Sequence, residues 1–270
     1  MADLLKTEWL KIRSYFAFWG IMAVTALSYP GINYIFHNIY NNLLQRNNQA
    51  AKITKALIGN PFGFPEAWHT VAYFSSFFVF IPAVVVIMLI TNEYSYKTHR
   101  QNVIDGWSRN QFMIAKLFDI VLVSLLITLL YVIVCLIIGS TNSSGNVRKL
   151  ELSYYAALFA LQTFSQLSIA FLIGFLVRRA FIALGVFIFY FLVLENILVG
   201  LGKKYANDLG RFLPLEISDR LIPVPTFLAK FDKESYDKAL ASVNYHVVYT
   251  IVLTAIIWLI CFQVNRKRDL

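Results

Sequence analysis

Asn92-Glu93-Tyr94-Ser95-Tyr96-Lys97-Thr98-His99-Arg100-Gln101-Asn102-Val103-Ile104-Asp105-Gly106-Trp107-Ser108-Arg109 is a polar island between two apolar runs. One run ends at Thr91 and the next begins near Leu117. The island is too long for a tight turn and too short for a domain. Tyr94 to Asp105 contains no glycine or proline, which predicts a short helix there. Gly106 is placed to end that helix, because glycine adopts a positive φ without steric cost. Ser108 followed by Gln111 has the spacing of a capping box, so the next helix starts there and runs into the apolar stretch. A short helix held against the face of a membrane is a part that can be pushed.

The flanking runs belong to a strongly apolar chain. Its 270 residues are 58% hydrophobic and 14% charged, whereas soluble domains are typically about 45–50% apolar and about 25% charged. Spanning a bilayer takes about 20 mainly apolar residues. Six segments qualify, at about 15–36, 70–91, 117–139, 154–177, 181–202 and 246–264. None alternates with period two, so the expectation is an all-α integral membrane protein with six transmembrane helices. Pro30-Gly31 near the outer end of the first span marks a kink or an early exit.

Basic residues set the expected orientation. Lys6, Lys11 and Arg13, then Lys97, Arg100, Arg109 and Lys116, then Arg178 and Arg179, then Arg266, Lys267 and Arg268 crowd short flanks on one side. The positive-inside rule places both termini and residues 92–116 in the cytoplasm. The net charge of +9 follows from such flanks and gives no reason to expect nucleic-acid binding. Asp3–Ser14 reads as an interfacial amphipathic helix with Leu5, Trp9 and Ile12 on one face and Lys6, Lys11 and Arg13 toward head groups; a plain charged flank is the alternative. Segments 37–69 and 203–245 are then extracellular. The first has a candidate helix around Gln49–Leu57. The second has candidates at Asp208–Ile222, where Leu213, Ile217 and Leu221 repeat every four residues, and at Lys233–Val243.

Chemical motifs are sparse. There is no P-loop, no H-E-x-x-H, no Cys/His cluster and no G-x-S-x-G elbow, so neither nucleotide, zinc nor acyl-transfer chemistry has a signature here. Cys135 and Cys261 lie in apolar runs and read as small buried hydrophobes. Glu195 is an acid well inside a predicted span, where ionisable groups are costly and often functional. It reads as a substrate or cation contact, or as a carboxyl paired with a neighbouring helix. Asp119, in the first turn of the third span near Lys116, reads as structural. Gln162 and Gln166, one turn apart on the most polar span, share a face that packs on another helix or lines a path.

Several segments together resemble the bacterial ABC-2-type transporter permeases. Glu8-Trp9-Leu10-Lys11-Ile12-Arg13 resembles the amphipathic first helix of that family. Asn92-Glu93 through Arg100, with Gly106-Trp107-Ser108-Arg109, resembles its cytoplasmic loop. Phe212-Leu213-Pro214-Leu215 through Ile222-Pro223 and the ending Arg268-Asp269-Leu270 are also similar. The order and spacing agree along nearly the whole chain, although Tyr96-Lys97-Thr98 stands where the family often has a glycine before the threonine.

The resemblance implies the permease of an exporter, without catalytic activity or a cofactor of its own. Two such permeases, identical or paralogous, would join two ABC ATPase subunits carrying ATP and Mg. The whole would sit in the bacterial inner membrane. Residues 92–116 would be the coupling region, with Tyr96, Lys97, Arg100, Val103 and Ile104 contacting the ATPase, or anchoring to anionic lipid instead. Glu195, Gln162 and Gln166 would be candidates for the substrate path. A scaffold or sensor with ligand-binding outer loops, and a membrane enzyme, are the competing classes.

Overall fold

The computed structural model describes residues 2–45, 59–104, 106–143, 149–205, 207–229 and 233–267. Among the described residues every regular element is helical. Four helical runs are long and apolar enough to cross a membrane: Arg109–Asn142, Tyr154–Val177, Ala180–Tyr205 and Lys233–Lys267. Two bent pairs, Lys6–Ser14 with Phe16–Asn42 and Ala67–Ser76 with Phe80–Ser95, bring the number to six if each pair is one span.

The elements in chain order are α1 (Ala2–Ser14), α2 (Phe16–Gln45), α3 (Ala67–Ser76), α4 (Phe80–Ser95), α5 (Thr98–Ile104), α6 (Arg109–Asn142) and α7 (Tyr154–Val177). They continue with α8 (Ala180–Phe189), a π-helical turn (Tyr190–Leu194), α9 (Glu195–Tyr205), a 3₁₀ turn (Leu209–Phe212), α10 (Pro214–Asp219), α11 (Thr226–Ala229) and α12 (Lys233–Lys267).

Helix α7 is the axis of the bundle. Of its most apolar 18-residue window, 61% is buried, against 17% for Ala180–Tyr205 and 28% for Lys233–Lys267. It packs against α4, α6 and α12. Gly174 sets the closeness of one contact: a Cβ there would lie 2.7 Å from Ile90 Cγ2. Trp258 of α12 stacks on Phe171 with centroids 5.1 Å apart and donates its indole N–H to Ser168 Oγ at 3.1 Å. The polar face read from the sequence is therefore turned inward, with Gln162, Thr163, Ser165, Gln166 and Ser168 all at 1% exposure or less. Its central place explains that polarity, because no lipid reaches it.

Several boundaries differ from the sequence expectation. The chain passes Pro30 without leaving the helix, since α2 runs unbroken to Gln45. The bend falls instead at Tyr15, between α1 and α2, at 77°. A second bend of 49° separates α3 from α4. Pro82 falls in the first turn of α4, where its missing N–H removes no helical bond. The last span is not a separate helix after a loop element, because Lys233–Lys267 is one helix of 35 residues. The island's helix is shorter than 94–105. Helix α4 continues to Ser95, Lys97 takes a left-handed φ of 57°, and only then does α5 begin. The candidate helix at 49–57 lies outside the described residues, as do Asp105 and the ending at 268–270.

Two details agree with the local reading. Gly106 has a φ of 96°, beyond easy reach of any side-chain-bearing residue. Ser108 caps α6 in both directions: its hydroxyl accepts from Gln111 N at 3.2 Å, and its own N–H donates to Gln111 Oε1 at 2.8 Å.

Candidate functional site: a buried charge cluster and a cavity at opposite ends

One end of the bundle gathers α1, the C-terminal turn of α4, α5 and the start of α6. Lys116 of α6 lies at its centre, 4% exposed. Its Nζ contacts Glu8 Oε2, Glu93 Oε1 at 2.9 Å and Asp119 Oδ2 at 3.4 Å. Lys11 adds a second cation, 3.0 Å from both Glu8 Oε1 and Glu93 Oε1. Glu93 also accepts the Thr98 hydroxyl at 2.6 Å, and its backbone carbonyl lies 3.0 Å from His99 Nδ1. Glu93 thus ties α5 to α1 and α6 through one carboxylate. Three acids and two lysines pair within this small space, with Lys11 at its edge at 28% exposure, and pairing is the condition under which buried ions persist.

This geometry corrects the reading of α1. Its inward face is Glu8 with Ile12, at 2% and 3% exposure, while Trp9 stays 44% exposed. Lys11 turns toward Glu93 rather than head groups. The pattern was legible as amphipathic, but a glutamate on the inward stripe has meaning only once Lys116 faces it. Asp119, expected near water, is 8% exposed.

Around the cluster, α5 presents its outer side. Tyr96 and Ile104 are 76% and 77% exposed, and Lys97 and Arg100 are exposed beside them. The side chain of Val103 lies outside the described residues. The end of α12 closes the same region: Asn265 Nδ2 donates to Arg109 O at 2.8 Å, and Arg109 Nη1 donates to Arg266 O at 2.8 Å. Arg178, after α7, lies 4.6 Å over the Tyr94 ring.

The opposite end contains a cavity of about 1180 Å³. Its walls come from α3, the π-helical turn, α9, the segment 208–229 and the start of α12. The π turn adds one residue to the helical repeat at Tyr190–Leu194, and insertions of this kind re-aim the side chains that follow. Here Glu195 points inward at 3% exposure, while Asn196 and Ile197 stay exposed. Glu195 Oε1 accepts the backbone N–H groups of Leu215 and Glu216, each at 2.7 Å. It caps α10, a carboxylate at a helix N-terminus.

Asp219, at the other end of α10, occupies a different environment. Its Oδ1 accepts Gln162 Nε2 at 2.8 Å and Gln166 Nε2 at 2.7 Å. Its side chain is exposed, and it opens on the cavity that it lines. Burial pushes its carboxyl up to about 7, with Glu216 and Glu195 adding to the effect and the two amides opposing it. Asp208 contrasts with it. Hydrogen bonds from Arg220, at 2.8 and 3.0 Å, hold its carboxyl below the usual range.

The structure therefore separates the predicted site residues into two groups. Tyr96, Lys97, Arg100 and Ile104 stand together on one exposed surface. Gln162 and Gln166 meet through Asp219, and Glu195 reaches the same helix from the other side. Asp219 escaped the sequence reading because it lies in a segment between spans, off the Leu213/Ile217/Leu221 stripe, where an acid reads as solvated. Among the described residues, no three His, Cys, Asp or Glu side chains stand together as a metal site.

Residues 53–270 match the family described as protein of unknown function (DUF2705). The chain belongs to that family. The match takes in the charge cluster except for Glu8 and Lys11, and all of the cavity. No curated protein matches the chain.

Proposed function

We propose that this chain is the membrane-spanning subunit of an ATP-driven exporter, with the two bent pairs counted as spans to give six. In this reading the charge-cluster end and both termini face the cytoplasm of a bacterial inner membrane, and the cavity end faces outward. Two copies, or one copy and a paralogue, pair with two ATPase subunits that carry ATP and Mg. Helix α5 docks in a groove of the ATPase, and an amphipathic or lipid-like molecule, peptide or drug moves outward.

The observation that supports this most is the wiring of α5. A push on α5 reaches Glu93 through the Thr98 hydroxyl and His99, and Glu93 passes it to α1 through Lys11 and to α6 through Lys116. A buried ionic knot transmits displacement because its members cannot separate without leaving a charge unpaired in a dry site. Meanwhile Tyr96 and Ile104 offer large apolar surface with nothing on it. A sensor that binds its ligand in the outer cavity uses the same wiring in reverse, and the cavity itself favours that second reading.

The deciding experiment is a pull-down of the solubilised full chain from its native cell with mass spectrometry. Wild type is compared with Arg100→Glu combined with Ile104→Asp, both on the exposed side of α5. A nucleotide-binding ATPase recovered with wild type and lost with the variant supports the exporter. A well-folded wild type that recovers none in several mild detergents overturns it.

A further inference from the structure

We infer that the cavity binds an amphiphilic organic amine, with the ammonium group on Asp219 and the apolar body along the cavity wall. This goes beyond the exporter reading, because the site stands whether or not what it binds is carried across.

Charge bookkeeping across the cavity comes first. Among the described residues four cations line it, and each acts on a group other than Asp219. Arg220 pairs with Asp208 and with Glu216 at 2.7 Å. Lys238 pairs with Glu234 at 2.6 Å. Arg211 lies 4.6 Å over the Phe212 ring, and it and Lys203 act on Asp208. Among the acids, Glu195 spends Oε1 on two backbone N–H groups and keeps its Oε2 buried, away from the cavity space. Among the described residues Asp219 has only amide side-chain partners, and the charges that act on it most, Glu216 and Glu195, are negative. A carboxylate that faces a cavity without a cation sits at a negative potential that a bound cation relieves.

Hydrogen bonding points the same way. Gln162 Oε1 and Gln166 Oε1 are buried without a donor among the described residues, while the amide N–H groups reach Asp219 and, from Gln166, also Ser218 Oγ at 3.3 Å. His246, 3% exposed and lining the cavity, bonds Ser242 O through Nδ1 at 2.9 Å. A carbonyl only accepts, so the proton is on Nδ1 and Nε2 is a bare acceptor. Nε2 is buried and has no partner among the described residues. Among the described residues both amide bonds go to Asp219 Oδ1, which leaves Oδ2 to accept from a group rich in N–H bonds in the cavity.

Size and wall chemistry select the rest of the ligand. About 1180 Å³ is far larger than a bare ion needs and slightly above the usual range for organic ligands, about 300–1,000 Å³. Tyr73, Phe77 and Phe191 offer ring faces that attract a cation at close range, and Leu192, Val199 and Leu228 offer aliphatic surface.

The test is calorimetric titration of the full chain in nanodiscs of zwitterionic lipid. The probes are 4-phenylbutylammonium and 4-phenylbutyrate, matched in body and opposite in charge. The ammonium is expected to bind saturably at one site per chain, the carboxylate at none. Asp219→Asn should weaken the ammonium tenfold or more. Leu228→Trp, which takes apolar space from the cavity wall and leaves the carboxylate in place, should weaken it similarly. Equal binding of both probes, or ammonium binding unchanged in Asp219→Asn, overturns the assignment. If Asp219→Asn does not fold, Leu228→Trp decides, and retained binding there overturns it too.

Discussion

Lys116 is buried and Asp219 opens on a cavity, and they respond oppositely to substitution. Lys116 holds three carboxylates, so Lys116→Met leaves Glu8 and Glu93 buried without their principal cation. Removing one partner of a buried pair costs about 3–5 kcal/mol, and we expect the variant to lose that much in a reversible unfolding assay. Replacing all three, with Glu8→Gln and Glu93→Gln added, should recover most of the loss, because the expense lies in the orphaned charges. No recovery would mean that the cluster's packing, not its charge balance, is what matters.

Asp219 carries a cost that depends on pH. Its carboxyl holds its proton to about 7 in the fold against an ordinary 3.8. Between those values the folded chain keeps a proton that the unfolded chain has lost, so stability falls as pH rises through that window. Asp219→Asn does not share this fall. The melting temperature of the variant should therefore gain on wild type between pH 4 and 7 and level off above, by a margin kept small by the exposure of the side chain. Parallel curves would show that Asp219 ionises freely in the cavity.

Among the elements, α5 and α7 were legible to different degrees. Gly106 and the Ser108–Gln111 box are local devices, and local geometry needs only neighbouring residues. The start of α5 was misplaced because it depends on Thr98 and His99 reaching Glu93, a contact no propensity scale contains. The inward polarity of α7 was visible as a glutamine face, but its partner was not. Close approach between α4 and α7 rests on Gly174. Gly174→Leu should force these helices apart and lower stability by about 1–3 kcal/mol. Gly20→Ala, in open space on α2, should change stability by less than that. Equal effects at the two positions would sink the close-packing account.

For the molecule as a whole, orientation is the property that every functional reading shares. Cys135 and Cys261 are buried and free, so single cysteines can be introduced with little background. Ile104→Cys marks the charge-cluster end and Leu209→Cys the cavity end; both parent side chains are well exposed, at 77% and 62%. A membrane-impermeant maleimide applied to intact cells should label Leu209→Cys, and should label Ile104→Cys only after permeabilisation. The reverse pattern would invert the molecule and remove the docking role of α5.

Composition and periodicity by themselves determined a helical membrane-type chain, its apolar runs, the capped start of α6 and the polar face of α7. Those properties depend on hydrophobicity and on neighbours within a turn or two, which the order of residues states directly. Tertiary structure alone decided that Glu8, Lys11, Glu93, Lys116 and Asp119 form one ionic knot, and that Gln162 and Gln166 hold Asp219 at a cavity wall. In both, the partners lie tens of residues apart, Lys116 from Glu8 and Gln166 from Asp219. An ionisable residue reads as solvated until the fold takes away its water and supplies another side chain in its place.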